Sequence, residues 1–150
     1  MSTESIPVID VSGLYSDDLG ARMRVAEEIG RACDEIGFLY AVNHHVPLET
    51  IETAWHKAQE FFALPMEEKL KVESDRNNRG YRKMGDTVHA SGLKFARDSF
   101  DLGFPCKPDD PEVLAGIPLY APNNWPALPG FAEALSTYHQ GCLEVGMKML

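Results

Sequence analysis

Seven of the chain's ten prolines lie between Pro105 and Pro129. A ring that fixes φ and removes a backbone N–H excludes a long helix or a central strand from that stretch. What remains is a meandering surface connection. A connection this long inside a compact protein is functional or lies against a neighbouring element. Regular structure must come from the residues on either side.

On the amino-terminal side, Ile6 to Val11 alternates apolar and other residues with Pro7 near its start, as an edge strand tolerates. Ser16 then offers an N-cap to an amphipathic helix. Its apolar positions Leu19, Met23, Ala26, Ile29, Cys33 and Ile36 recur at three or four, and Gly37 ends it. Phe38 to Val42 is a continuous apolar run of strand length, read as a buried strand entering a turn at Asn43, His44, His45 and Pro47. The spacing of Leu48, Ile51, Trp55, Ala58 and Phe62 predicts a second helix, stopped by Leu64 and Pro65. Met66 to Val72 makes at most two further turns.

Ser74 to Gly80 is a polar loop, and Tyr81 to Lys94 has no clear period and reads as mostly irregular. Asp98 to Phe104 places Phe100, Leu102 and Phe104 on one face of an expected strand. After the prolines, Phe131, Leu135, Tyr138, Cys142, Val145 and Met149 form a stripe at helical spacing. The stripe runs to Leu150 without a cap, so the last helix is expected to be cut and to need a partner surface from elsewhere.

Fourteen basic against twenty-three acidic residues give a net charge of -9. A phosphate backbone or an anionic leaflet would be repelled, so nucleic acid and membrane surfaces are excluded as expected partners. Cys33, Cys106 and Cys142 are odd in number and lack C-x-x-C spacing, which argues against a disulfide framework or a structural zinc and suits a reducing cytoplasm. Cys33 and Cys142 read as small core residues on apolar helical faces. The N-terminus shows no export signal, and no uncharged stretch approaches the roughly 20 residues that cross a bilayer.

Among catalytic patterns, the histidines come first. His44 and His45 adjoin, and neighbouring strand residues point to opposite faces, so a turn pair with local hydrogen bonds fits better than chelation. No H-x-D or H-x-E occurs, so two histidines and a carboxylate cannot be assembled from their usual local pair. No metal ligand or catalytic residue is therefore assigned. No G-x-S-x-G, P-loop or G-x-G-x-x-G is present either. Arg79, Arg82 and Lys83 cluster beside Gly80 and Tyr81, where a guanidinium could grip a carboxylate or simply offset the acidic surface.

Five runs appear in a telling order: I-P-V-I-D at Ile6 to Asp10, A-C-D-E-I-G-F-L-Y-A-V-N-H-H-V-P at Ala32 to Pro47, and F-F-A-L-P-M-E-E-K at Phe61 to Lys69. R-G-Y follows at Arg79 to Tyr81. F-D-L-G-F-P at Phe100 to Pro105 then precedes Asn123-Asn124-Trp125-Pro126 and Pro129-Gly130-Phe131. With these runs the whole chain resembles the N-terminal region of the iron(II) and 2-oxoglutarate dependent dioxygenases of the isopenicillin N synthase type, with bacterial ethylene-forming relatives among them. The chain departs at His45, where the family commonly has glycine.

The resemblance implies an α+β chain of helices and short strands, residues 1–150, wrapping a double-stranded β-helix (jelly-roll) oxygenase barrel. The barrel would follow residue 150 and take roughly 100 to 200 further residues. Iron(II) and 2-oxoglutarate would both bind there, outside residues 1–150, through a His-x-Asp pair, a distal histidine and an Arg-x-Ser pair. The implied reaction oxidises a small molecule, an amino acid or related metabolite, with O2, and residues 1–150 alone would be inactive. In relatives the loop after R-G-Y lines the substrate pocket, which points to Tyr81, Thr87, Val88 and His89, with Arg79 beside them. Phe100 and Trp125 read as core anchors. The alternative is a stand-alone interaction or regulatory module that kept the wrap and lost the barrel.

Overall fold

The computed structural model describes residues 5–86, Gly92 and residues 96–150. It is a mixed helix and strand chain whose residues divide into two compact units, one of Met1–Ile51 with Thr137–Leu150 and one of Glu52–Ser136.

In the first unit, β1 (Val8–Asp10) pairs in parallel with β2 (Tyr40–Val42), Val8 opposite Tyr40 and Asp10 opposite Val42. Parallel strands need a crossover, and α1 (Leu19–Glu35) supplies it. Asp18, not Ser16, is the N-cap, its carboxylate accepting from the Gly20 N–H at 2.9 Å, while Ser16 Oγ accepts from the Asp18 N–H. Between β1 and α1 lies a 3-10 turn, Val11–Tyr15, capped by Asp10. Ile9, Val11, Leu14, Val25 and Ala32 form the core, with Ala41 and Met149 packed against it.

Only part of the apolar run at 38–42 is strand, and the expectation of a buried strand fails. Ala41 faces the core, but Tyr40 is 59% and Phe38 70% exposed. A continuous apolar run signals burial only when both faces are covered, and among the described residues this two-stranded sheet is covered on one. Cys33 and Cys142 are likewise exposed, not core.

The second unit holds most of α2 (Leu48–Phe62), then α3 (Met66–Leu70), β3 (Gly80–Arg82), β4 (Ser99–Asp101), the short α4 (Pro111–Leu114) and the start of α5 (Phe131–Met149). Within α2 the buried residues are Ala54 and Phe61, whereas Trp55, which the expected stripe included, is 65% exposed. β3 and β4 are antiparallel, Tyr81 opposite Phe100 and Arg82 opposite Ser99. β3 falls in the stretch read as irregular, because three residues are too few to show a period of two.

An aromatic cluster forms this unit's core. Phe61 lies 5.1 Å from Phe100 and from Phe131 and 5.9 Å from Tyr81, centroid to centroid, and Trp125 stacks on Phe100 at 5.8 Å. Phe100 and Trp125 are partly buried and pack against this core. Edge-on and offset pairs at these separations each contribute about 0.5–1.5 kcal/mol beyond area burial.

Candidate functional site

Each unit is tied together by the residue runs that carry the family resemblance. In the first, Asp10 ends I-P-V-I-D and accepts from the Ser12 N–H at 2.9 Å and from Asn43 Nδ2 at 2.7 Å. Hydrogen bonds from Ser12 and then Asn43 hold its carboxyl below the ordinary aspartate value. Asn43 and His45 both take the left-handed region, φ 56° and 63°. Asparagine tolerates that region, and histidine adopts it less readily than glycine would. Two contacts of Tyr15 hold the turn: its hydroxyl donates to the His44 carbonyl at 2.9 Å, and its ring stacks on His45 at 4.0 Å. His44 Nδ1 accepts from the Val46 N–H at 3.1 Å, the local bonding expected of a turn pair.

In the second unit three runs meet. Arg79 is buried, with Nη1 donating to the carbonyls of Asn77 and Asn78 and Nη2 to that of Leu119 at 2.8 Å. Its guanidinium lies against Gly103, where a Cβ would collide with it. Gly103 is itself gripped by Asn123, whose Oδ1 accepts from the Gly103 N–H at 2.8 Å and whose Nδ2 donates to the Gly103 carbonyl at 3.0 Å. The amide thus does what a neighbouring strand would do two residues past β4. Gly80, at φ 114°, lets β3 pass so close to the Val72 carbonyl that no other residue fits.

β3 and β4 hold between them the connection 83–98, in which the resemblance places substrate contacts. Thr87, Val88 and His89 lie outside the described residues. Tyr81 is 0% exposed and donates from its hydroxyl to Asp98 Oδ2 at 3.1 Å. Burial, then the Asp98 carboxylate, raises its pKa above the ordinary phenol value. Arg82 donates through Nε to Asp101 at 3.0 Å and through Nη2 to Asn78 Oδ1 at 3.0 Å, and Lys83 lies 3.8 Å from Asp86. The three cations grouped by sequence therefore do not converge. Arg79 turns inward, and Arg82 and Lys83 meet separate carboxylates at the root of the connection.

The donor set of the described residues does not fit an iron centre. Among the described residues no three of His, Cys, Asp and Glu gather as a metal would need, His44 Nδ1 is engaged by backbone, and His45 lies against a tyrosine ring. No helix among the described residues is long and apolar enough to cross a membrane. What the site offers is a rigid frame around the base of one connection. Sequence reasoning missed Asn123 as part of that frame, although it stands within one of the runs that carry the resemblance.

Residues 6–128 match the family described as non-haem dioxygenase in morphine synthesis, N-terminal. The chain is 29% identical over 126 residues to an isopenicillin N synthase of Amycolatopsis lactamdurans, covering 84% of this chain and 38% of that protein. It is 27% identical over 157 residues to a 2-oxoglutarate-Fe(II) type oxidoreductase of Emericella nidulans, covering 100% of this chain and 45% of that protein. Among solved structures, a full-length Neurospora crassa protein in complex with alpha-KG is similar at a TM-score of 0.75 and 26% identity, over 96% of this chain and 44% of that one. The chain thus spans less than half the length of each of these relatives. By residues 6–128, it belongs to the N-terminal family of non-haem dioxygenases.

Proposed function

We propose that residues 1–150 are the N-terminal part of an iron(II)- and 2-oxoglutarate-dependent oxygenase that oxidises a small molecule with O2. In that reading they wrap a jelly-roll barrel supplied by sequence beyond this chain, and the barrel holds both the iron and 2-oxoglutarate. The observation that carries the reading is the meeting of R-G-Y, F-D-L-G-F-P and the Asn123 run on Arg79, Gly103 and Asn123, within a chain that matches the family over residues 6–128.

The chain's own task in this reading is positioning. Arg79 and Tyr81 act on substrate through the segments they hold, and the connection they root presents Thr87, Val88 and His89 to it. A frame held to fractions of an ångström is what orientation of a bound reactant requires. The protein is placed in the cytoplasm on its cysteine usage alone.

The test is to supply the full-length protein with iron(II), 2-oxoglutarate and O2 and to measure succinate. Succinate formation that depends on both additions is expected. Its absence in a folded full-length protein would favour the interaction-module alternative.

A further inference from the structure

We infer that Lys69 is a positioning residue that fixes Asp98 against Tyr81, where the 83–98 connection re-enters β4. The inference deepens the reading above and rests on it, since it matters for substrate only if that connection faces substrate. Lys69 closes the F-F-A-L-P-M-E-E-K run, a charged position that a surface helix would send to solvent. Yet it is 7% exposed.

Its surroundings explain the burial. Nζ donates to the carbonyl of Phe62 at 3.1 Å, the last residue of α2, where the helix leaves unpaired carbonyls and partial negative charge. It sits 5.3 Å from the centroid of the Tyr81 ring, whose face is also electron-rich. Asp98 Oδ2 lies 3.9 Å away and accepts the Tyr81 hydroxyl at 3.1 Å. A carbonyl, a ring face and a carboxylate converge on one ammonium, and each attraction belongs to the charge rather than to the stem.

This separates the role of the charge from that of the packing. α2, α3 and β3 are held without the ammonium, by Phe61 against Tyr81 and Phe131 and by the Tyr81 N–H donating to the Val72 carbonyl at 2.7 Å. Asp98 is one residue short of β4 and is held from the side by Lys69 and Tyr81. An uncharged side chain of similar length should therefore leave the core closed and loosen the root of the connection.

Hydrogen exchange on the full-length protein and its Lys69→Met and Lys69→Arg variants tests this. Lys69→Met is expected to speed exchange at Met84–Asp86 and Arg97–Asp98 by about tenfold or more, while amides around Phe61 and Ala134 stay within about twofold. Lys69→Arg is expected to restore the slow rates. Unchanged rates at the connection, an equal acceleration throughout residues 52–136, or an arginine variant no better than methionine would each overturn the assignment. Succinate formation by the unmodified protein is scored separately. If the oxygenase reading fails, that protein makes no succinate; if the Lys69 assignment fails, that protein still makes succinate and the variants show one of the three overturning exchange results.

Discussion

Asn123 grips both backbone groups of Gly103, accepting from its N–H at 2.8 Å and donating to its carbonyl at 3.0 Å. The proline-rich stretch that cannot form a strand of its own lends one side chain to extend β4. Asn123→Ala leaves a partly buried N–H and carbonyl without partners, and a loss of about 1–3 kcal/mol is expected. The check is a denaturant melt of the full-length protein at unchanged slope. A change under about 0.3 kcal/mol would show that the clamp contributes nothing.

Gly103 and Arg79 should be coupled. A Cβ on residue 103 meets the Arg79 guanidinium, and that guanidinium in turn carries the Asn77, Asn78 and Leu119 carbonyls. Gly103→Ala and Arg79→Met are each expected to destabilise by about 2 kcal/mol or more, the first by collision and the second by lost hydrogen bonds. Together they should cost at least about 1 kcal/mol less than the sum, because methionine can move away from the new methyl. A double-mutant cycle reads the coupling directly, and strict additivity would contradict the contact.

At the turn of the first unit, His45 takes φ 63° while its ring stacks on Tyr15. Left-handed backbone costs an ordinary residue about 1–2 kcal/mol, and an aromatic stack returns about 0.5–1.5. His45→Gly should therefore be close to neutral, within about 1 kcal/mol. His45→Val, branched at Cβ and without a ring, is expected to cost about 2 kcal/mol or more. Equal effects of the two in thermal melts would show that neither strain nor stacking operates there.

The Asp10 carboxyl is held below its ordinary value by hydrogen bonds from Ser12 and Asn43. A folded value below the unfolded one means that its contribution is present above the unfolded pKa near 3.8 and is lost as pH falls through the folded value. Asn43→Ala removes one of those donors, so it should destabilise the protein near neutrality and raise the midpoint of acid unfolding, the difference shrinking as pH falls through the folded value. An acid transition identical to that of the unsubstituted protein would contradict the bond.

Much of the fold was legible because its signals are local. α1 ends before Gly37, α2 stops at Phe62 ahead of Pro65, and α5 follows the spacing of Phe131 and Leu135. β3 was not legible, since its three residues owe their conformation to pairing with Phe100 and to the Val72 carbonyl, both distant in sequence. The exposed Tyr40 and Phe38 misled for another reason: apolar character does not say how many faces a sheet has covered. Arg79 and Tyr81 were singled out from the residues and from family likeness. Only coordinates could show a guanidinium spent on backbone carbonyls and a tyrosine wholly enclosed.

In the proposed reading the iron donors lie outside this chain, and replacing its histidines puts that to the test. His44, His45, His56, His89 and His139 are each changed to alanine in the full-length protein, and iron(II) is titrated anaerobically with 2-oxoglutarate present. Each variant is expected to bind iron with unchanged stoichiometry. Loss of iron by any one of the five, in a protein that keeps its fold by circular dichroism, would place an iron donor within these residues.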